Sequence, residues 1–357
     1  MTTAQTIDEA SVEAFVGRAI GDLAGAMTTV FCALGDRLGL LKALADDGPA
    51  TSGELAARLG LHERYVREWL HGMAAAGYLD PDPESARFAL PAEHAPVLSQ
   101  ETGPMFFGGV YQEILGALST LDRIADAFRS GGGVPQEAYP PDFWEGMERF
   151  TASWFENQLL AEWLPTVPEV LSRLEQGTRV ADVGCGAGRA LINLATAFPN
   201  SRFTGYDASH AQLERARANA ATSGLADTVE FERRDVAAQG LPQRFDVITT
   251  FDVVHDAVDP LALLKAICKG LAPGGTYLLL ETNSADHAHD NQGPIAQVLY
   301  GFSLLYSMTS SLAHNGAGLG TCGLPEREIR RLTADAGFGT VSRIAENPFN
   351  ILYILTA

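Results

Sequence analysis

The residues best suited to chemistry lie in the second half of the chain. Val180-Ala181-Asp182-Val183-Gly184-Cys185-Gly186-Ala187-Gly188 reads as an apolar strand running into a glycine-rich turn that opens a helix. Glycines at this spacing let backbone approach a ligand and let the helix pack against the strand. The free amides of a helix N-terminus favour an anionic or electron-rich group. The spacing is GxGxG, shorter than the pyrophosphate fingerprint, and no GxxxxGK[ST] is present. A ligand without a pyrophosphate therefore fits better, with Asp182, Gly184, Gly186 and Gly188 as its first candidate contacts.

Two further acids follow at strand ends. Asp207 closes Gly205-Tyr206-Asp207, 25 residues after Asp182, a placement suited to accepting hydrogen bonds from ribose hydroxyls. The same residue could cap the helix that follows. Asp235, with Val236 beside it, follows the next strand, where a carboxylate can take the exocyclic amine of adenine. The plainer reading of Asp235 is a turn residue.

His255 stands in Phe251-Asp252-Val253-Val254-His255-Asp256, at the end of another strand. Ligands of open α/β sheets bind at the carboxyl ends of strands, where a neutral imidazole can remove a hydroxyl proton. The alternative is a histidine that merely tops the strand. Asp259-Pro260 suits the cap and first position of the next helix. Glu281 ends Tyr277-Leu278-Leu279-Leu280-Glu281, and an acid ending so apolar a strand is costly unless partnered.

These residues need a scaffold, and the pattern from Thr178 onward supplies one. Strands are expected at 179–183, 202–206, 229–233, 245–251 and 276–281, with helices at 187–197, 208–223 and 260–271. Such alternation predicts a doubly wound, mostly parallel α/β sheet. A helix at 325–336 and two β-rich runs, 339–344 and 350–356, predict a C-terminal antiparallel hairpin.

The N-terminal part reads differently. Residues 7–45 carry helical apolar spacing at Val12, Phe15, Val16, Ala19, Val30, Leu34, Leu38 and Leu41. Residues 51–90 predict a capped helix, a tight turn, a second helix around Val66, Trp69, Leu70 and Met73, then a small hairpin. Helix, turn, helix and hairpin make a winged helix. Either DNA binding or dimerisation would suit it. In the second helix Arg64 and Arg67 face Glu63 and Glu68, whereas a DNA-reading helix should be basic. Between the two parts, helical stretches at 110–128 and 147–174 flank a glycine- and proline-rich stretch and carry many aromatics. Most of these read as core, and a few could line an apolar pocket.

Strand, DVGCGAG, GYD and RRD, in this order, resemble class I S-adenosylmethionine-dependent methyltransferases. Most of the chain resembles small-molecule O-methyltransferases of the plant phenolic type and their actinobacterial relatives. The resemblance implies a winged-helix dimerisation domain over 1–100, connecting helices over 101–177 that contribute to an acceptor pocket, and a cofactor-binding domain over 178–357. It implies S-adenosylmethionine as cofactor, S-adenosylhomocysteine as product and a homodimer. It gives His255 the role of general base and Glu281 that of its orienter. Ala313-His314-Asn315 resembles a segment near the acceptor, making His314 and Asn315 candidate substrate contacts; a plain loop is the alternative. The family's second carboxylate beside the base does not carry over, because Gly323 stands there, and Glu326 and Glu328 suit a helix start. Residues 283–320 would cover the acceptor, with Tyr300, Phe302, Tyr306 and Met308 as candidate lining.

Composition limits the alternatives. The chain has 357 residues, 46% hydrophobic and 19% charged, a globular composition. A net charge of −19 disfavours nucleic acid and anionic membranes. No apolar run is long enough to span a bilayer. The opening MTTAQTIDEA lacks the basic and apolar regions of a secretory leader. Four scattered cysteines predict neither zinc cluster nor disulfide scaffold and suit a reducing cytoplasm. Asp286-His287-Ala288-His289-Asp290 has spacing compatible with a metal, but reads as a solvated loop, and no metal is expected. The reading is an enzyme methylating a small hydroxylated aromatic molecule. C- or N-methylation on the same fold, or a cofactor-sensing winged-helix regulator, remain open. The sequence does not name the acceptor.

Overall fold

A computed structural model describes residues 7–357. The first residues of the chain, part of the stretch read as lacking a leader, lie outside the described residues. The chain divides into two compact units, Met1–Leu115 and Gly116–Ala357.

In the first unit, α1 (Glu9–Arg37) and α2 (Leu40–Asp47) form two helices where the spacing predicted one. The break lies at Gly39, whose φ of 70° leaves the helical region. Then come α3 (Ser52–Leu59), α4 (Glu63–Ala75), the paired strands β1 (Asp80–Asp82) and β2 (Arg87–Ala89), and α5 (Ala95–Leu98). Thr51 and Glu54 cap α3 reciprocally, as a Thr-x-x-Glu start dictates. Leu41, Leu44, Leu55, Val66, Trp69, Leu70 and Met73 close a core. That is the expected winged helix. Most of α1 stays outside it. Val12, Phe15, Val16, Ile20, Leu23 and Met27 are exposed, so the apolar spacing of α1 marks a bare stripe.

α6 (Gly108–Leu118) crosses into the second unit, which continues with α7 (Leu121–Ser130) and α8 (Pro141–Trp154). From Phe155 to Trp163 the helix widens to π geometry, a short 3-10 turn follows, and α9 (Pro168–Gln176) ends the run. The continuous helices suggested at 110–128 and 147–174 are thus broken. The second breaks where Pro165 and Pro168 cannot continue the ladder.

The main sheet then begins. Its elements are β3 (Arg179–Val183), α10 (Arg189–Ala197), β4 (Arg202–Asp207), α11 (His210–Thr222), β5 (Val229–Arg233), α12 (Val236–Gln239), β6 (Phe245–Phe251), α13 (Pro260–Gly270) and β7 (Leu271–Thr282). Next come α14 (Pro294–Phe302), a π turn at 303–307, α15 (Met308–Ala313), α16 (Glu326–Ala336), β8 (Thr340–Glu346) and β9 (Asn350–Thr356). Among the described residues the sheet has seven strands in the order β5-β4-β3-β6-β7-β9-β8. The first five are parallel; β9 runs antiparallel to both β7 and β8, making the expected terminal hairpin.

Both faces of the sheet are covered. One carries Trp163, Val170, Leu191, Leu194, Leu213 and Leu278. The other carries Leu263, Leu264, Ile267, Tyr277, Ile329 and Leu332. Strands buried on both faces must be almost wholly apolar, which is why β3 and β7 read that way. The strand order reverses between β3 and β6, so a crevice opens at their carboxyl ends.

Candidate active site

The glycine turn after β3 is the first wall of the crevice. Gly184, Gly186 and Gly188 have φ of 73°, 51° and 76°, a conformation that side chains resist. A Cβ on Gly184 would stand 2.6 Å from Val253 Cγ2, and one on Gly188 2.7 Å from Phe231 Cζ. One on Gly186 would meet nothing within 4 Å. The outer two glycines therefore serve packing, while the middle one presents bare backbone to open space.

Asp207 supports that backbone. Its Oδ2 accepts from the Gly186 N–H at 3.0 Å and its Oδ1 from Ser209 at 2.8 Å. Burial pushes its carboxyl up, and these amides partly offset the push. Each oxygen retains a further lone pair, so a ribose could share the carboxylate. The cap of α11 is Ser209, so Asp207 is not spent on that role. Asp182 lies in register with Thr249, which donates to its Oδ1 at 2.7 Å. Almost fully buried, Asp182 titrates near 7, raised chiefly by desolvation. Asp235 is exposed and caps α12 by accepting from Ala238, the plainer of its two readings, and Val236 is buried behind it. A cap can still offer its second oxygen to a ligand.

The second wall is built around His255, on a 3-10 turn after β6. Its Nδ1 lies 2.5 Å from Glu281 Oε2, and Glu281 Oε1 accepts from the Val254 N–H at 2.8 Å. Glu281 is 0% exposed and His255 3%. Both oxygens of this costly carboxylate are thus used, one fixing the turn and the other fixing the ring. The sequence-predicted pair is brought together across 26 residues. With Nδ1 committed to Glu281, Nε2 is the nitrogen left to take a proton.

Two more acids stand beside His255: Asp256, its partner in the His-Asp pair that the family resemblance points to, and Asp252, which escaped the sequence reading. Asp256 Oδ1 lies 3.1 Å from Nε2, close enough to pair with the imidazole when it is protonated. Asp252 adopts φ 55° just beyond β6, and the Asn350 amide donates to both its oxygens at 3.1 and 3.0 Å. Carboxylates thus reach the histidine from its own loop. Burial opposes a charged imidazole, but Glu281 and Asp256 prevail, and His255 is held well above its ordinary value. Asp252 is pushed up to about 7, by burial and by its acidic neighbours Glu281 and Asp256. Only the DVVHD string hinted at Asp252; its backbone twist and its partner 98 positions away have no local signature.

Asp252, His255 and Glu281 offer ligand atoms within 4.8 Å of one another, a spacing that also suits a cation. The Nδ1–Oε2 contact argues otherwise: 2.5 Å is a hydrogen bond between the two groups, whereas two ligands at about 2.1 Å from one tetrahedral ion stand about 3.4 Å apart. His287 and His289 stack at 5.3 Å, and among the described residues no third ligand joins them.

Residues 308–320 close over the loop after His255. Gly320 N donates to His255 O at 3.2 Å, Ala317 N to Val258 O at 2.9 Å, and Ser311 Oγ to Ala257 O at 3.0 Å. His314 and Asn315 are exposed on this segment, with Asn315 in the left-handed region. Neither shares a hydrogen bond with His255 or Glu281. Tyr306, by contrast, is buried in an aromatic cluster with Tyr139, Phe143 and Trp144, at centroid distances of 5.0–5.7 Å. The charge of Asp256 acts on the Tyr139 hydroxyl, so this cluster borders the acid loop. Tyr300 is largely exposed.

A buried ion-pair hub ties the helices to the glycine turn. Glu148, on α8, accepts from Arg189 at 3.0 Å, from Arg215 at 2.9 Å and from Asn219 at 2.7 Å. Asn219 also donates to Ala187 O inside the glycine motif. A separate cavity of about 750 Å³ lies at the β4–β5 edge, lined by Tyr206, Arg217, Glu230 and Phe231, and contains none of the residues around His255.

Residues 174–311 match the family described as a methyltransferase domain, and residues 26–100 match the Rv2258c-like winged HTH domain. The chain therefore carries a methyltransferase domain behind a winged helix-turn-helix domain. It is similar to the 3-hydroxy-5-methyl-1-naphthoate 3-O-methyltransferase of Streptomyces sahachiroi, 29% identical over 283 residues, covering 75% of this chain and 76% of that one. It is also similar to the ubiquinone biosynthesis O-methyltransferase of Idiomarina loihiensis, 36% identical over 107 residues, covering 30% of this chain. The chain spans 43% of that relative's length and 63% of a counterpart from Pseudomonas putida. Among solved structures, PigF with SAH shares the fold at a TM-score of 0.72 and 20% identity, covering 95% of this chain and 98% of that one.

Proposed function

We propose that this chain is an S-adenosylmethionine-dependent O-methyltransferase for a small hydroxylated aromatic acceptor. The observation that carries the reading is the His255–Glu281 pair, standing at the switch point opposite the glycine turn. When bound, S-adenosylmethionine supplies an electrophilic methyl group on a sulfonium. Gly184, Gly186, Gly188, Asp182, Asp207, Asp235 and Val236 would hold it. His255 removes the acceptor proton at Nε2, and Glu281 holds the ring through Nδ1 and stabilises the imidazolium. A phenol titrates near 10, so a histidine whose basicity is raised by two carboxylates narrows the gap. Tyr139, Phe143, Trp144 and Tyr306 supply an aromatic wall, and His314 with Asn315 would meet the acceptor from the covering segment. Aligning acceptor and methyl accounts for several kcal/mol of rate by itself.

The partner of the first unit in this reading is a second copy of the chain. The bare stripe of α1, from Val12 through Leu34, suits a helix–helix interface. On α4, Arg67 pairs with Glu63 at 3.0 Å and Arg64 with Glu68, which leaves little charge for DNA. Among the described residues no helix is long and apolar enough to cross a membrane, and the four free cysteines suit a reducing cytoplasm.

The test is calorimetry with S-adenosylmethionine and S-adenosylhomocysteine, followed by methyl transfer to a panel of hydroxylated aromatics. His255→Ala is expected to keep cofactor affinity and lose about 100-fold or more in turnover. Binding of neither cofactor form would refute the reading. A salt-sensitive DNA shift in its place would favour the regulator.

A further inference from the structure

The charge around His255 does not balance. Three carboxylates, Asp252, Asp256 and Glu281, converge on one imidazole. The charges acting on Asp252 are His255 and Asp256 from the turn and Glu281 from β7. The contact from β9 is the neutral Asn350 amide, and the Cys322 thiol, just beyond the covering segment, feels the charge of His255. Even with the imidazole protonated, the cluster carries an excess of negative charge in a crevice partly withdrawn from water. Buried charge of one sign is expensive unless a counter-charge arrives.

The three acids are not equally available. Glu281 is fully buried with both oxygens engaged. Asp256 is held against the imidazole. Asp252 is half-buried, and a single Asn350 nitrogen serves both its oxygens, so acceptor capacity remains. Its neighbour Val253 packs on Gly184, which places Asp252 one residue from the glycine turn. A second observation points the same way. Asn350 is 2% exposed and its Oδ1 has no partner, although its Nδ2 is spent on Asp252. A buried amide half-satisfied beside an under-satisfied carboxylate is the mark of a site that a ligand completes. The left-handed backbone at Asp252 adds strain held in place at the same spot.

We infer that Asp252, positioned by Asn350, is the counter-charge for the cationic methyl donor and lets the site distinguish that donor from its neutral product. The inference rests on the methyltransferase reading above. A sulfonium carries a full positive charge. Once the methyl has left, the sulfur is neutral, and the attraction to Asp252 disappears. Substrate is thereby held more tightly than product. The group's elevated titration point adds a pH signature. Below about 7 Asp252 takes a proton and the donor loses its partner, whereas the neutral product is indifferent.

The test is calorimetry of S-adenosylmethionine and S-adenosylhomocysteine against the full chain and Asp252→Asn, at pH 6 and pH 8. Asparagine tolerates the left-handed backbone, so the substitution removes charge with little strain. In the unmodified chain the preference for donor over product is expected to widen from pH 6 to pH 8. In Asp252→Asn, donor affinity at pH 8 should fall about tenfold or more, a size typical of a partly buried charge pair. Product affinity should stay within about twofold, which also shows that the variant is folded. Equal loss of both affinities, no change in either, or a stoichiometric divalent ion lost with Asp252 would overturn the inference. Failure of the unmodified chain to bind either compound would instead overturn the methyltransferase reading beneath it.

Discussion

Replacing Glu281 by glutamine probes the base apparatus most directly. The side chains have nearly the same volume, so the fully buried site keeps its packing. Glutamine offers one carbonyl oxygen in place of two carboxylate oxygens. It can accept from the Val254 N–H at 2.8 Å or from His255 Nδ1 at 2.5 Å, but not from both. One charge-assisted hydrogen bond is lost, about 1.5–3 kcal/mol. The imidazolium that forms as the acceptor loses its proton also loses its stabilising charge, worth up to about 4 kcal/mol at 4 Å in a protein-like dielectric. These two effects overlap, and a combined loss of about 2–4 kcal/mol corresponds to a fall in kcat of about 30- to 1,000-fold. The pH profile should move as well. His255 is raised above its ordinary value chiefly by Glu281, so activity rises as pH climbs through that elevated value and the imidazole becomes neutral. Without Glu281 the titration drops, and the rising limb shifts to lower pH while its plateau falls. The assay is kcat and KM for the acceptor between pH 5.5 and 9.5, with cofactor affinity measured alongside. A lower plateau on an unmoved limb, or an equal loss of cofactor affinity and kcat, would refute the assignment of Glu281 as the positioning partner of His255.

Two structural predictions accompany this one. Gly184→Ala must adopt φ 73° and drive a methyl toward Val253, so cofactor affinity should fall at least tenfold and stability by about 2–4 kcal/mol, read by calorimetry and urea unfolding; unchanged affinity would detach the turn from the ligand. Glu148→Gln weakens the hub joining α8, α10 and α11, and because its arginines are about a third exposed the cost should be about 1–2 kcal/mol, with a chemical-denaturation midpoint equal to that of the unmodified chain counting against it.

What the sequence reveals best is whatever depends on near neighbours. The apolar runs of β3 and β7, the three glycines and the terminal hairpin follow from local rules, and the structure places them where the pattern does. Asp207 was legible because it ends a strand beside the turn that it supports. The boundaries that shifted, at Gly39 and in the broken helix from Phe155 to Pro168, reflect single residues that override a periodic pattern. The exposed α1 stripe shows the limit of periodicity. Helical spacing of Val12, Phe15, Val16 and Ile20 defines an apolar face, but nothing in that spacing says what covers it.

The pairing of His255 with Glu281 stood between these cases. The family resemblance assigned Glu281 to His255, and the fold set their 2.5 Å contact by laying β6 parallel to β7. Asp252 and its Asn350 brace were decided only by tertiary structure. They join β6 to β9 across 98 positions, and one is turned by a backbone angle that aspartate seldom adopts. The same is true of the hub around Glu148. Sequence specifies which groups are present and which way a strand or helix presents them. The distance between two charges, and so the titration each imposes on the other, exists only once the sheet has closed and water has been excluded from between them.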